Sequence, residues 1–84
     1  MDIFSIIVTI MGITMACANI PQAVKIFKRK SAKDISPITF IIITIGAAVW
    51  VAYGVYKNDI PIFLANIVGV FATGAVVVGY LLYK

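Results

Sequence analysis

The chain has 84 residues, 63% of them hydrophobic and 12% charged, with a mean hydropathy of +1.12. A soluble domain carries charge on about a quarter of its residues, so composition places this chain in the membrane class and sets aside an ordinary water-soluble domain. It contains no histidine and a single cysteine, Cys17, which removes histidine-based metal sites, histidine triads and internal disulfides from consideration.

The ten charged residues are clumped. None occurs over 3–24, 35–56 or 60–83. Each run exceeds the roughly 20 residues that carry a helix across a hydrocarbon core of about 30 Å. The expectation is an all-α integral membrane protein with three transmembrane helices, over about 3–27, 37–56 and 61–82, forming one domain over 1–84. Met1-Asp2 supplies no positive leader, so the first run is expected to be a retained helix. Lys25, Lys28, Arg29, Lys30 and Lys33 fall between the first two charge-free runs, and Lys57 alone between the second and third. Positive charge marks the cytoplasmic side. This puts the N-terminus outside and the C-terminus in the cytoplasm. A basic run beside two membrane helices is a topology signal, and nucleic acid is not expected as a partner.

In the first span, Ser5, Thr9, Gly12, Ala16 and Asn19 share one helical face. Small, weakly polar faces let helices approach closely in lipid, and packing accounts for Ser5 to Ala16. Asn19 belongs with Pro21 and Gln22. A proline there leaves a carbonyl near Cys17 without its helical donor and pushes the turn open. In lipid such a break needs neighbouring polar groups to re-satisfy the backbone, and Asn19 and Gln22 flank it. Two readings stand: the end of a membrane helix, or a hinge facing a cavity.

Ser36 and Pro37 form a cap and first-turn pair that starts the second span. Its face Thr39, Ile43, Gly46, Trp50, Tyr53, Lys57 follows the same helical rhythm. Tyr53 and Tyr56 suit an interfacial belt. Trp50 lies about 10 Å inside the end of the span, deep for a belt residue, and its indole N–H needs a partner there. Asn58 and Asp59 make the next turn, with Asp59 favoured before a helix N-terminus by the helix dipole. Pro61 opens the third span. Asn66 is the strongly polar residue in its interior, on one face with Gly69 and Thr73. Gly69, Gly74 and Gly79 point to close helix packing.

The three carboxylates, Asp2, Asp34 and Asp59, lie in the tail and loops, and no phosphate loop is present. An enzyme is not expected, and neither a cofactor nor a metal is implied. The charge-free runs 3–24, 35–56 and 60–83 place no Asp, Glu, Lys or Arg in the membrane interior, whereas ion- and proton-coupled carriers keep such a group there. Passive movement of a neutral solute fits better. Amides, hydroxyls and an indole suit a polyhydroxyl ring, although the same groups also bridge helices. Three helices do not readily enclose a small-molecule path, so a cavity lined by these faces requires a second copy, most simply in a two-fold dimer.

The Pro21-Gln22 pair, the basic turn, Asp34-Ile35-Ser36, Trp50-Val51-Ala52-Tyr53-Gly54 and Leu64-Ala65-Asn66, in this order, resemble the bacterial SemiSWEET sugar transporters of the PQ-loop superfamily. The resemblance covers essentially the whole chain. It implies a three-helix bundle assembled as a parallel homodimer in the bacterial inner membrane, and facilitative transport of a mono- or disaccharide by alternating access. It implies that Trp50 and Asn66 hold the sugar and that Tyr53, Lys57 and Asp59 form an outer gate. Pro21 of the Pro21-Gln22 motif would be the hinge, and Phe40 or Ile41 the inner gate. Arginine is more usual at the Lys57 position, and lysine keeps the charge without the planar fork. Met15-Ala16-Cys17-Ala18-Asn19 also departs from relatives that carry threonine, serine and phenylalanine there. The alternatives are a PQ-loop carrier of another small metabolite, and a non-transporting membrane assembly or adaptor protein.

Overall fold

The computed structural model describes residues 1–84 and contains four helices: α1 (Ile3–Cys17), α2 (Ile20–Arg29), α3 (Pro37–Lys57) and α4 (Ile60–Tyr83). In membrane terms there are three spans, because α1 and α2 together form one 27-residue segment, Ile3–Arg29, alongside Pro37–Lys57 and Ile60–Tyr83.

The helix ends follow from their capping residues. Asp2 accepts from the Ser5 amide at 2.8 Å and starts α1. Ser36 caps α3, accepting from the Thr39 amide at 3.4 Å, with Pro37 in the first turn. Asp59 caps α4, accepting from the Ile62 amide at 3.1 Å. That bond is a further reason for an acid at Asp59 beyond the helix dipole. Asn58 ends α3 with a φ of 52°, a left-handed conformation that asparagine tolerates. The Asp59 amide then donates back to the Gly54 carbonyl at 2.9 Å, closing a very short turn.

The spatial order differs from the chain order. α4 packs against α1, α2 and α3, whereas α1 and α2 make no comparable packing with α3. The third span therefore lies between the first and the second. The Cα trace measures 43 × 21 × 13 Å along its principal axes, so the three spans form a layer more than a closed bundle.

Small residues set the close approaches. A Cβ placed on Gly12 would come within 2.7 Å of the Ala65 Cβ, and one on Gly79 within 2.8 Å of the Ile26 side chain. Gly69 sits between Ala16 and Ala47, 3.8–3.9 Å from each by the same measure, and Gly74 is looser, with Thr44 at 4.0 Å. Of the three α4 glycines expected to pack closely, Gly79 is the one at a tight approach. Thr44 and Thr73 join α3 to α4 through hydroxyls 2.8 Å apart. Thr73 also donates to the Gly69 carbonyl at 2.7 Å. The densest packing lies at the basic end, where Ala23, Ile26, Ala32 and Val76 form a buried cluster with Ile35, Phe40, Ala75, Tyr80 and Tyr83 against it.

Candidate functional site

These contacts fix the helix register. Gly12 meets Ala65, Ala16 meets Gly69 and Ile26 meets Gly79. The sequence separation is the same in all three pairs, so α1 and α2 run parallel to α4 and the break between them does not shift the register. The same offset sets Asn19 level with Ala72, at the middle of α4. The proline break therefore lies at the centre of the first span, with ten helical residues beyond it in α2. The helical segment therefore does not end at Pro21.

At the break the Ala18 amide is shared between the Thr14 and Met15 carbonyls, and the Asn19 amide donates to Ala16 at 3.2 Å. The Asn19 side-chain Nδ2 also donates to the Ala16 carbonyl, at 3.2 Å. That bond goes to the Ala16 carbonyl, one residue before the Cys17 carbonyl that Pro21 leaves without its helical donor. Gln22, half-buried on the other side of the proline, is not seen doing the same.

α3 runs antiparallel to α4, with Gly54 against Phe63, Ala47 against Gly69 and Thr44 against Thr73. Counting between these pairs places Trp50 level with Asn66, so residues far apart in sequence reach the same depth. Trp50 is 52% exposed. Its ring meets that of Tyr53 edge-on, centroids 5.5 Å apart and planes at 83°. Asn66 is half-buried. Its Nδ2 donates to the Ile62 carbonyl of its own helix at 2.8 Å, which leaves the Oδ1 lone pairs for another donor. The register adds Ile13 of α1 at this depth, an apolar residue that carries no sequence signal of its own.

The rest of the α3 face is equally open. Ile43 and Tyr53 are 43% and 44% exposed, and a Cβ on Gly46 would meet nothing within 4 Å. An indole, a phenol and several aliphatic groups thus lie uncovered beside a half-buried amide.

At the Asn58 end, Lys57 holds its Nζ 5.6 Å from the Tyr56 ring centroid, while Asp59 is engaged as the α4 cap. A groove of about 390 Å³ there is lined by Gly54, Val55, Asn58, Asp59, Ile60 and Phe63. The Tyr53, Lys57 and Asp59 set is gathered at one end of the layer, above Trp50. Phe40 and Ile41 lie near the opposite end and diverge: Phe40 packs on the buried cluster, and Ile41 is 41% exposed.

Three long apolar spans, one broken near its centre beside a proline, define a small multi-pass membrane protein. A family profile described as "Sugar efflux transporter for intercellular exchange" matches residues 2–84. The sugar transporter SemiSWEET of Bradyrhizobium diazoefficiens is 36% identical over 66 residues, covering 79% of this chain and 77% of that protein. The sugar transporter SemiSWEET of Leptospira biflexa is 36% identical over 52 residues, covering 62% and 61%. The crystal structure of a bacterial homologue of SWEET transporters superposes with a TM-score of 0.89 at 37% identity, covering 99% of this chain and 100% of that one. The chain belongs to the SemiSWEET sugar transporter family.

Proposed function

We propose that this protein is a facilitative transporter of small neutral sugars, a uniporter that works by alternating access as a parallel homodimer in the bacterial inner membrane, with its N-terminus outside. The observation that carries this reading is the pair Trp50 and Asn66. They share one depth of the layer, the indole is half-exposed on an open face, and the amide keeps an acceptor free. An aromatic face stacks on the C–H face of a sugar ring, while the Asn66 Oδ1 accepts from its hydroxyls.

Uniport and a neutral cargo rest on the absence of Asp, Glu, Lys and Arg from the runs 3–24, 35–56 and 60–83. The homodimer rests on the thin layer, which leaves the site open on one side. A second copy related by a two-fold axis closes it and brings a second Trp50 and Asn66 to the same depth. Tyr53, Lys57 and Asp59 then close the outer end, with Lys57 of one protomer reaching Asp59 of the other. Pro21 is the hinge about which α2 moves, and Phe40 and Ile41 sit where the inner end closes. The orientation rests on the excess of positive charge between α2 and α3.

The test is counterflow of labelled glucose and sucrose in liposomes, with Trp50→Ala beside the unaltered protein. Accumulation that ignores a pH gradient and is lost in the variant supports a sugar uniporter using this pocket. Unimpaired accumulation in the variant removes Trp50 from the site.

A further inference from the structure

One end of the layer concentrates the positive charge. Lys28 and Arg29 fill the last turn of α2, Lys30 caps it, Lys33 follows in the turn, and Lys25 lies one turn earlier. The register brings Lys84 level with Ser31. All six are exposed. Asp2 and Asp59 cap helices at the opposite end, leaving Asp34 as the acidic side chain here. The helix dipole accounts for a cation or two in a last turn, but not for six.

The turn that carries them is built, not loose. Lys30 adopts a left-handed φ of 53°, which costs a non-glycine residue about 1–2 kcal/mol. The Lys30 and Ser31 amides both return to the Ile26 carbonyl. Ala32 is 2% exposed and belongs to the same buried cluster as Ala23, Ile26 and Val76. The Ile35 amide donates to the Ala32 carbonyl at 3.2 Å. The backbone thus holds Lys28, Arg29, Lys30 and Lys33 around a fixed anchor at the membrane boundary, with Phe27 and Tyr83 packed edge-on beside them at 5.6 Å.

We propose that this end is a binding surface for the headgroups of anionic phospholipids, and that headgroups gathered there restrain α2 relative to α1 across the break at Ala18 and Asn19. Clustered cations next to a membrane helix attract anionic headgroups within about a Debye length. Here four of them ride on α2 or its cap, the segment beyond the break, so a headgroup bound to them acts on α2 more than on α1 or α4. The restraint of α2 rests on the hinge reading of Pro21; the lipid preference does not.

The experiment uses the protein in phosphatidylcholine bilayers carrying a trace of spin-labelled phosphatidylglycerol or spin-labelled phosphatidylcholine. The motionally restricted fraction of each label reports its association. Phosphatidylglycerol is expected to be preferred about fivefold, the factor one cation near the surface contributes. The preference should fall in the triple variant Lys28→Gln, Arg29→Gln, Lys30→Gln, which keeps Lys25, Lys33 and Lys84, and towards unity at high salt. Equal association of the two lipids with the unaltered protein overturns the proposal, as does a preference undiminished by the triple substitution. Displacement by inorganic phosphate overturns the membrane assignment. The restraint is read from the rate at which a maleimide labels Cys17, the single cysteine, at the end of α1. The rate should be lower with phosphatidylglycerol than without it, and the difference should shrink in the triple variant. A rate indifferent to lipid overturns the restraint. Neither readout involves sugar, so failure here is distinguishable from failure of the transport reading.

Discussion

Gly54 of α3 lies directly against the backbone of Phe63 in α4: a Cβ built on Gly54 would stand 2.8 Å from the Phe63 nitrogen and 3.0 Å from its Cα. The neighbour is main chain, which cannot rotate away as a side chain can. The short turn through Asn58 and Asp59 holds the two helices at this distance, since the Asp59 amide donates to the Gly54 carbonyl itself.

Gly54→Ala is therefore expected to destabilise the protein by about 1–3 kcal/mol, the range for overpacking a well-filled contact. Gly46→Ala serves as the control, because nothing lies within 4 Å of its added Cβ, and a gain of up to about 1 kcal/mol from helix propensity is expected. Thermal unfolding in detergent checks both. Equal stability of the two variants would show that the Gly54 contact relaxes.

Thr73→Val should cost little, about 0.6 kcal/mol, the average for a hydrogen bond between membrane helices. Thr73 is only 1% exposed, but valine preserves its shape. Its partner Thr44 also lies 2.7 Å from the Phe40 carbonyl, so its hydroxyl keeps an acceptor when Thr73 is lost. Thr73→Ala, which leaves a void, is expected to cost more. A Val variant as unstable as the Ala variant would identify the hydroxyl pair as a main support of the α3–α4 contact. Unfolding midpoints of the two variants decide this.

Asn66→Ala is expected to abolish counterflow while leaving the fold in place. The side chain's one hydrogen bond is to its own helix, at the Ile62 carbonyl, and that carbonyl remains within the helix when the amide is removed. Loss of transport together with an unchanged unfolding midpoint assigns Asn66 to the cargo. Loss of both would make it a packing residue.

Pro21→Ala restores a backbone N–H opposite the Cys17 carbonyl and lets α1 and α2 join. Maximal counterflow rate should fall more than the sugar KM changes, because the pocket level with Trp50 lies away from the break. Rate and KM measured side by side separate the two. An unchanged rate would remove the hinge.

The Asp2 carboxyl is held below the usual carboxylate range by its hydrogen bonds from Ser5. A depressed folded value means that the charged cap supports the start of α1 above the unfolded pKa, and that the support is lost as pH falls through the folded value. Amide exchange at Ser5, corrected for its intrinsic pH dependence, should therefore rise on strong acidification and be flat between neutral pH and mild acid. Asp2→Ala should show the raised exchange at every pH.

Much of the fold was legible without coordinates. Three charge-free runs long enough to cross lipid have one low-energy form, since every backbone group must be bonded within its own segment. Ser36, Pro37 and Asp59 marked helix starts because capping is local chemistry. The resemblance carried by Pro21-Gln22, Trp50 and Asn66 pointed to the family to which the chain proves to belong. Whether the helix continues beyond Pro21 was not legible, because the depth of a break depends on what runs alongside.

What the sequence by itself determined, then, is the set of spans, their caps and the residue types available to a solute, all consequences of interactions within one or two helical turns. What only the tertiary structure decided is the placing of the third span between the other two, the level shared by Trp50 and Asn66, and the central position of the break. Those depend on which small residues meet, Gly12 with Ala65, Gly54 with Phe63 and Gly79 with Ile26. In lipid, close packing between helices takes the place of a hydrophobic drive, and a helix pattern records that a face is small without recording which face it will meet.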